Sequence, residues 1–213
     1  MNEWSRWEQE KMIGKAAAAL TKNGFAVEVA SDAAEAVQIV LGFAANAKTV
    51  GFGGSIGVIE LGLPKMLAEM GKECLIHGAP GLANEERVEV MRRALTCDLY
   101  LTGVNAVSLD GRLVDIDATG NRVGAMTFGP KKVVVIAGAN KLAATAEAAM
   151  KRVKEYAAPA NAARLSMQTP CAVTGFCADC DSPQRICRIV HVMERRPRVT
   201  DITVVLVAED LGL

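Results

Sequence analysis

Two segments, KKVVVIAG at 131–138 and DITVVLVAE at 201–209, are almost wholly apolar and rich in β-branched residues. A strand that is apolar on both of its alternating sides has both faces covered, as in a parallel sheet between layers of helix. The rest of the chain alternates in the same sense. Residues 3–22 read as a helix, FAVEVA as a strand, and a second helix opens after Ser31 with Asp32 and Glu35 placed as a capping box. TVGFGG is a strand running into glycines, IELGLPKMLAEMG a helix, ECLIH a short strand, and a further helix starts at Asn84. After the strand DLYLTGV, Asp110-Gly111 sits between NAVSL and RLVDID with the turn chemistry of a tight hairpin, both central positions being able to take positive φ. An alanine-rich helix from about Lys141 to Tyr156 follows the KKVVVIAG strand, and DITVVLVAE closes the chain. The class is therefore α/β, not bundle or sandwich.

Four of the six cysteines, Cys171, Cys177, Cys180 and Cys187, fall in the stretch CAVTGFCADCDSPQRIC. Thiolates so close in sequence suit a metal centre that takes soft sulfur. The spacing C-x5-C-x2-C-x6-C contains one tight knuckle where structural zinc sites usually show two, and prolines 170 and 183 flank it as they do in cluster-binding loops. An iron–sulfur cluster, of the 4Fe-4S kind, is the favoured reading, with zinc, disulfides or free thiols as alternatives. The segment at about 168–190 is expected to be a loop inserted before the last strand of a single α/β domain spanning 1–213. Cys74 and Cys97 lie in apolar surroundings and are expected to be small buried hydrophobes.

At 213 residues and 51% hydrophobic, the chain can bury one large core. Its formal charge is zero and its longest basic run is the short MERRPR, so neither nucleic acid nor an anionic membrane is indicated as a partner. That run is expected to be a solvated turn. The charged start MNEWSRWEQEKM lacks the apolar core of a signal peptide, and no stretch approaches the roughly 18 apolar residues of a membrane span. A cytoplasmic location is expected, where reduced thiols are free to bind metal.

VGFGGSIG is not a dinucleotide fingerprint, because Ile56 stands where a third glycine would be needed and no acidic residue follows a strand at the expected distance, nor is it a Walker loop. It is a strand, a glycine turn and a helix start, where backbone amides near Gly53, Gly54 and Ser55 can meet a carboxylate or phosphate. Residues 102–141 gather Asn105, Asp117, Asn121, Arg122, Asn140 and Lys141 at strand ends. Singly each is a turn former; together they are candidates to line one pocket. Glu60, early in the helix after the glycine turn, is a further candidate, with a helix-dipole role as the plainer alternative.

The run TG-NA-DG, then GNR, FGPKKVVVIAG and NK, preceded by GFGGS, resembles the lactate-utilization, or LUD, domain family over nearly the whole chain. The resemblance implies the fold of the ribose-5-phosphate isomerase, glucosamine-6-phosphate deaminase and CoA-transferase group. That is a Rossmann-like, mostly parallel sheet with flanking helices and an added antiparallel hairpin. It gives Gly51, Gly53, Gly54 and Ser55 an anion-binding role, and implies a part in oxidising L-lactate beside iron–sulfur partner proteins. The cysteine-rich tail is not matched to the short subunit of that system.

The leading expectation is a component of a redox system for lactate or a related small hydroxy acid, its carboxylate held near Ser55, Asn105 and Lys141. The alternative is a transferase or isomerase acting on a phosphosugar or acyl-CoA, with structural zinc and with Asp117 or Glu60 as general base. A third is a non-catalytic regulatory subunit. Trp4 and Trp7, at i and i+3, would serve it as a partner face, or else form a core stripe or a homo-oligomer contact.

Overall fold

The computed structural model describes residues 3–213. Its strands are β1 Ala26–Ala30, β2 Thr49–Phe52, β3 Glu73–Leu75, β4 Leu99–Gly103, β5 Ala106–Ser108, β6 Leu113–Asp117, β7 Lys132–Gly138, β8 Leu142–Ala143, β9 Ile189–Met193 and β10 Ile202–Val207. The helices are α1 Glu3–Lys22, α2 Ala33–Ala44, α3 Ile56–Glu60, α4 Leu63–Glu69, α5 Asn84–Ala94, α6 Asn121–Thr127, α7 Ala146–Arg152, α8 Ala158–Arg164 and α9 Pro170–Thr174. A π-helical turn, Val153–Ala157, joins α7 to α8.

Six strands form one sheet in the order β1-β10-β7-β4-β2-β3, and every pairing in it is parallel. The apolar runs that suggested a doubly covered sheet behave accordingly. Val133 and Val135 of β7 and Ile202, Val204 and Leu206 of β10 pack in one core with Ile13 and Leu20 of α1. Val134 and Ile136, with Val205 and Val207, pack in the opposite core with Val37, Val40, Leu63 and Leu67 of α2 and α4. Each such side chain taken out of water contributes about 1.5–3 kcal/mol, which is why the centre of the sheet tolerates no polar alternation.

The expected hairpin is present, but within a second, four-stranded mixed sheet of order β8-β5-β6-β9. β9 was not legible as a strand; it pairs antiparallel with β6 from Leu113↔Met193 to Asp117↔Ile189. The hairpin turn also differs. Ser108 N–H donates to Arg112 O and Gly111 N–H to Ser108 O, closing a three-residue loop in which only Gly111, at φ 84°, is left-handed. A β-carbon on Gly111 would lie 2.5 Å from the carbonyl carbon of Ala19, so the turn is seated directly against α1.

Helix boundaries depart from expectation where local chemistry decides them. Gly62, at φ 69°, splits the helix read through IELGLPKMLAEMG into α3 and α4. Asp32 caps α2 by accepting from Glu35 N–H, while the Glu35 carboxylate reaches back to Ser31 N–H, one residue before the expected partner. Asn84 is the first residue of α5, and the Glu86 carboxylate accepts from Ala83 N–H. The alanine-rich helix starts at Ala146, capped by Thr145, because a short 3-10 turn, Ala139–Lys141, and β8 occupy the preceding residues.

Trp4 and Trp7 are 74% and 55% exposed, so neither forms a core stripe. Cys97 is buried as expected and Cys74 only partly so. The MERRPR run is not merely solvated, since Arg196 donates to Gly24 O and Thr200 O. No helix among the described residues is long and apolar enough to cross a membrane.

Candidate functional site

Parallel strands deliver their following loops to one edge, and here those loops enclose a cavity of about 500 Å³. Gly53, Gly54 and Ser55 come from the end of β2, His77 follows β3, Val104 and Asn105 follow β4, and Lys141 lies just beyond β7. Asp117, Asn121 and Arg122 come in from the end of β6 and the start of α6. The structure thus brings together eight of the residues singled out from the sequence: Gly53, Gly54, Ser55, Asn105, Asp117, Asn121, Arg122 and Lys141. Close backbone approach shapes the floor. A β-carbon on Gly103 would fall 2.4 Å from Ser55 Oγ, so glycine at the end of β4 is what lets that hydroxyl lie across it.

Not all eight are free to meet a ligand. The Arg122 guanidinium contacts Asp115 at 3.0 Å and Asp117 at 3.5 Å, and donates to Asn105 Oδ1 and Ile116 O. These carboxylates outweigh the effect of burial and hold its pKa above the usual arginine value. Asp117 is equally committed. Burial pushes its pKa up, but the amides of Gly120, Thr119 and Val123 together with Arg122 hold it below the ordinary aspartate value, leaving a weak base.

Lys141 is the opposite case. Its side chain is 4% exposed, and its ammonium has no hydrogen bond or ion pair among the described residues. Burial, then the nearby Arg152 charge, lower its pKa to about 8; Asp115 opposes them, Arg122 adds a lesser lowering, and Glu60 opposes least. Asn105 commits its Oδ1 to Ile116 N–H and Arg122, which leaves its amide nitrogen without a partner among the described residues. Asn121 likewise makes no side-chain hydrogen bond among the described residues. His77 faces Gly54; burial, reinforced by Arg87, lowers its pKa and favours the neutral ring. The cavity therefore offers the buried Lys141 ammonium beside Arg87 and Arg164, none of the three paired with a carboxylate among the described residues, together with the amides of Asn105, Asn121 and Asn161 and the Ser55 hydroxyl, a donor-rich surface suited to a small anion.

Three expected site residues lie elsewhere. Gly51 is a strand residue, paired with Leu75 and Tyr100 and closed in by the Cys97 and Tyr100 side chains, so its amide is not offered to a ligand. Asn140 and Glu60 hold the closing tail: Asn140 accepts from Leu211 N–H and donates to Gly212 O, and Glu60 accepts from Gly212 N–H at 2.8 Å. That tail brings Leu213 to the cavity wall. Sequence reasoning missed His77, Arg87, Asn161 and Arg164, which also line the cavity. Only His77 carried a readable signal, its place at the carboxyl end of a predicted strand.

Cys171 is on α9, and Cys177, Cys180 and Cys187 follow in irregular chain before β9. The strand after this segment is therefore β9 of the second sheet, with β10 beyond it. Arg185 organises the loop, donating to the carbonyls of Cys180 and Cys187 and to Asp179. The Cys187 thiol is pushed up in pKa by burial and then by Cys177, Cys171 and Cys180, so the four sulfurs share one electrostatic neighbourhood. In kind they fit an iron–sulfur or zinc centre; among the described residues no three such side chains are gathered closely enough to hold an ion. Ile186, beside Cys187, lines the cavity, so loop and pocket adjoin.

The family model for the LUD domain matches residues 13–207, which takes in both sheets and the cavity. The chain belongs to the LUD domain family. As a LUD-domain protein it falls among lactate-utilization-related proteins. A crystal structure of a DUF162 family protein from Deinococcus radiodurans is similar in fold, with a TM-score of 0.54 and 15% identity, covering 93% of this chain and 98% of that one. No curated protein matches the chain.

Proposed function

We propose that this LUD-domain protein binds a small 2-hydroxy or 2-oxo carboxylate in the cavity and serves a redox system that oxidises lactate or a related acid. The observation that carries the reading is Lys141, a buried ammonium without a counterion that faces a cavity at the carboxyl edge of a parallel sheet. A carboxylate entering there supplies the missing charge, and the Asn105 and Asn121 amides and the Ser55 hydroxyl are placed to take its other polar atoms. Arg122 and Asp117 shape the wall and stay paired with each other.

The cysteine loop completes the proposal. Cys171, Cys177, Cys180 and Cys187 would hold a 4Fe-4S cluster, which when bound supplies a one-electron carrier beside the pocket. Their shared electrostatic neighbourhood and the contact of Ile186 with the cavity support this. Iron–sulfur partner proteins would exchange electrons with it.

The test has two arms. Protein purified without oxygen is expected to be brown and to contain iron and acid-labile sulfide, both lost when the four cysteines are replaced by serine; a colourless, zinc-loaded preparation would remove the redox part. Calorimetric titration with L-lactate and pyruvate is expected to show binding that weakens at least tenfold in Lys141→Met. Absence of binding by either acid would remove the site assignment.

A further inference from the structure

We infer that Lys141 is a nucleophile, and that the amine captures the carbonyl carbon of a small 2-oxo carboxylate as a Schiff base within the cavity. The inference rests on the anion-site reading above and names the substrate class more narrowly, since a carbonyl next to the carboxylate is required.

Position comes first. Lys141 ends the short 3-10 turn that follows β7, a rigid element whose backbone is fixed by the central strand of the sheet. It is the one lysine that is fully buried among the described residues, yet it lines a cavity large enough for a three- or four-carbon acid. Lysine is rarely buried without a counterion, because removing an ammonium from water is costly unless something compensates. Here compensation is only partial, since the Asp115 and Glu60 charges favour the ammonium without bonding to it. Asp115 is taken by Arg122 at 3.0 Å, and Glu60 accepts from Gly212 N–H. Arg152 approaches from α7 and Arg122 from α6, and both are fixed cations: Arg152 donates to Asn140 O and Asn105 O, so it cannot swing away.

Chemistry follows from that placement. Addition to a carbonyl needs the neutral amine, and a desolvated lysine beside another fixed cation is the environment that makes one available near neutral pH. With its pKa brought to about 8, roughly a tenth of the side chain is neutral at pH 7. The balance is closed without an oxidant. The nitrogen lone pair forms a C–N bond to the carbonyl carbon, the carbonyl oxygen takes up protons and leaves as water, and the nitrogen keeps one proton as the iminium. The adjoining carboxylate meets the amide nitrogens of Asn105 and Asn121, which have no hydrogen-bond partner among the described residues, and it screens the iminium charge.

The experiment uses the full chain, pyruvate and sodium borohydride, which reduces an iminium to a stable secondary amine. Intact-mass and peptide analysis are expected to show one 1-carboxyethyl adduct, located on Lys141, whose rate of formation rises with pH through the region of 8. Excess L-lactate, which has no carbonyl, is expected to slow adduct formation by occupying the same pocket. Lys141→Arg keeps the charge and is expected to abolish the adduct; its calorimetric binding of pyruvate reports whether the pocket is still formed. Adduct spread over exposed lysines, or undiminished in Lys141→Arg, overturns the inference. Binding of pyruvate without any adduct also overturns it while leaving the anion site standing, whereas absence of both binding and adduct removes the two together.

Discussion

Arg122 Nη1 lies 3.0 Å from a carboxylate oxygen of Asp115, whose side chain is fully buried in the second sheet. The pair explains why a cation at the cavity wall is not a ligand site. Replacing Arg122 with Met leaves two buried carboxylates, Asp115 and Asp117, without their shared partner. We expect a loss of about 3–5 kcal/mol, read as a lower urea midpoint with an unchanged slope. Asp115→Asn in the same background is expected to restore part of that loss, because it removes the stranded charge.

Asp98 ties the start of β4 to the start of β2. Its carboxylate accepts from Lys48 N–H at 2.9 Å, Thr49 N–H at 3.0 Å and the Thr49 hydroxyl, while Thr49 Oγ accepts from Asp98 N–H and Lys131 pairs with the other oxygen. Lys131 first, then the two amides, hold the Asp98 pKa well below its ordinary value of 3.8. A depressed carboxylate stabilises the fold above its unfolded pKa and loses that contribution as pH falls through its folded one. Asp98→Asn is therefore expected to lower the melting temperature at pH 7, with the gap to wild type closing only well below pH 4.

Lys141 carries the reverse sign. Its folded pKa of about 8 lies under the ordinary 10.5, so the unfolded chain binds the proton more tightly. The cost is fully present below about pH 8, on the order of 3 kcal/mol, and is relieved as pH rises towards 10.5. Lys141→Met is expected to be more stable than wild type at pH 7, and that advantage is expected to shrink in thermal melts at pH 9 and 10.

Gly111 and Gly71 separate strain from collision. Both have positive φ, at 84° and 75°, but a β-carbon at Gly111 meets the α1 backbone and one at Gly71 meets nothing within 4 Å. Gly71→Ala is expected to cost about 1–2 kcal/mol in chemical denaturation, from the left-handed backbone alone. Gly111→Ala is expected to cost clearly more, because the hairpin must lift from α1.

The central strands could be read because a chain covered on both faces is apolar at nearly every position, as β7 is beyond Lys132 and β10 is apart from Thr203. β9 could not. Its exposed positions are Val190 and Val192 and its more covered ones include His191, so burial alternates along the strand while polarity does not follow it. The site divides the same way. Ser55, Asn105 and Lys141 were legible as polar residues at predicted strand ends, and the parallel sheet carries such ends to one edge. Arg122, Asp117 and Asn105 were found but not as partners of one another, and Asp115 was missed, since that pairing depends on how the second sheet packs. Asn140 and Glu60 look like ligand residues until the tail at 211–212 folds back across them.

Immediately after Cys187, Arg188 N–H donates to Asp117 O at 3.1 Å, and β9 then runs hydrogen-bonded along the whole of β6. Asp117 is thus gripped from behind by the very stretch that leaves the thiols, while its side chain braces Arg122 at the pocket rim. The thiol-bearing segment and the Asp117 wall of the hollow are therefore neighbours along one continuous ladder, with no slack chain between them.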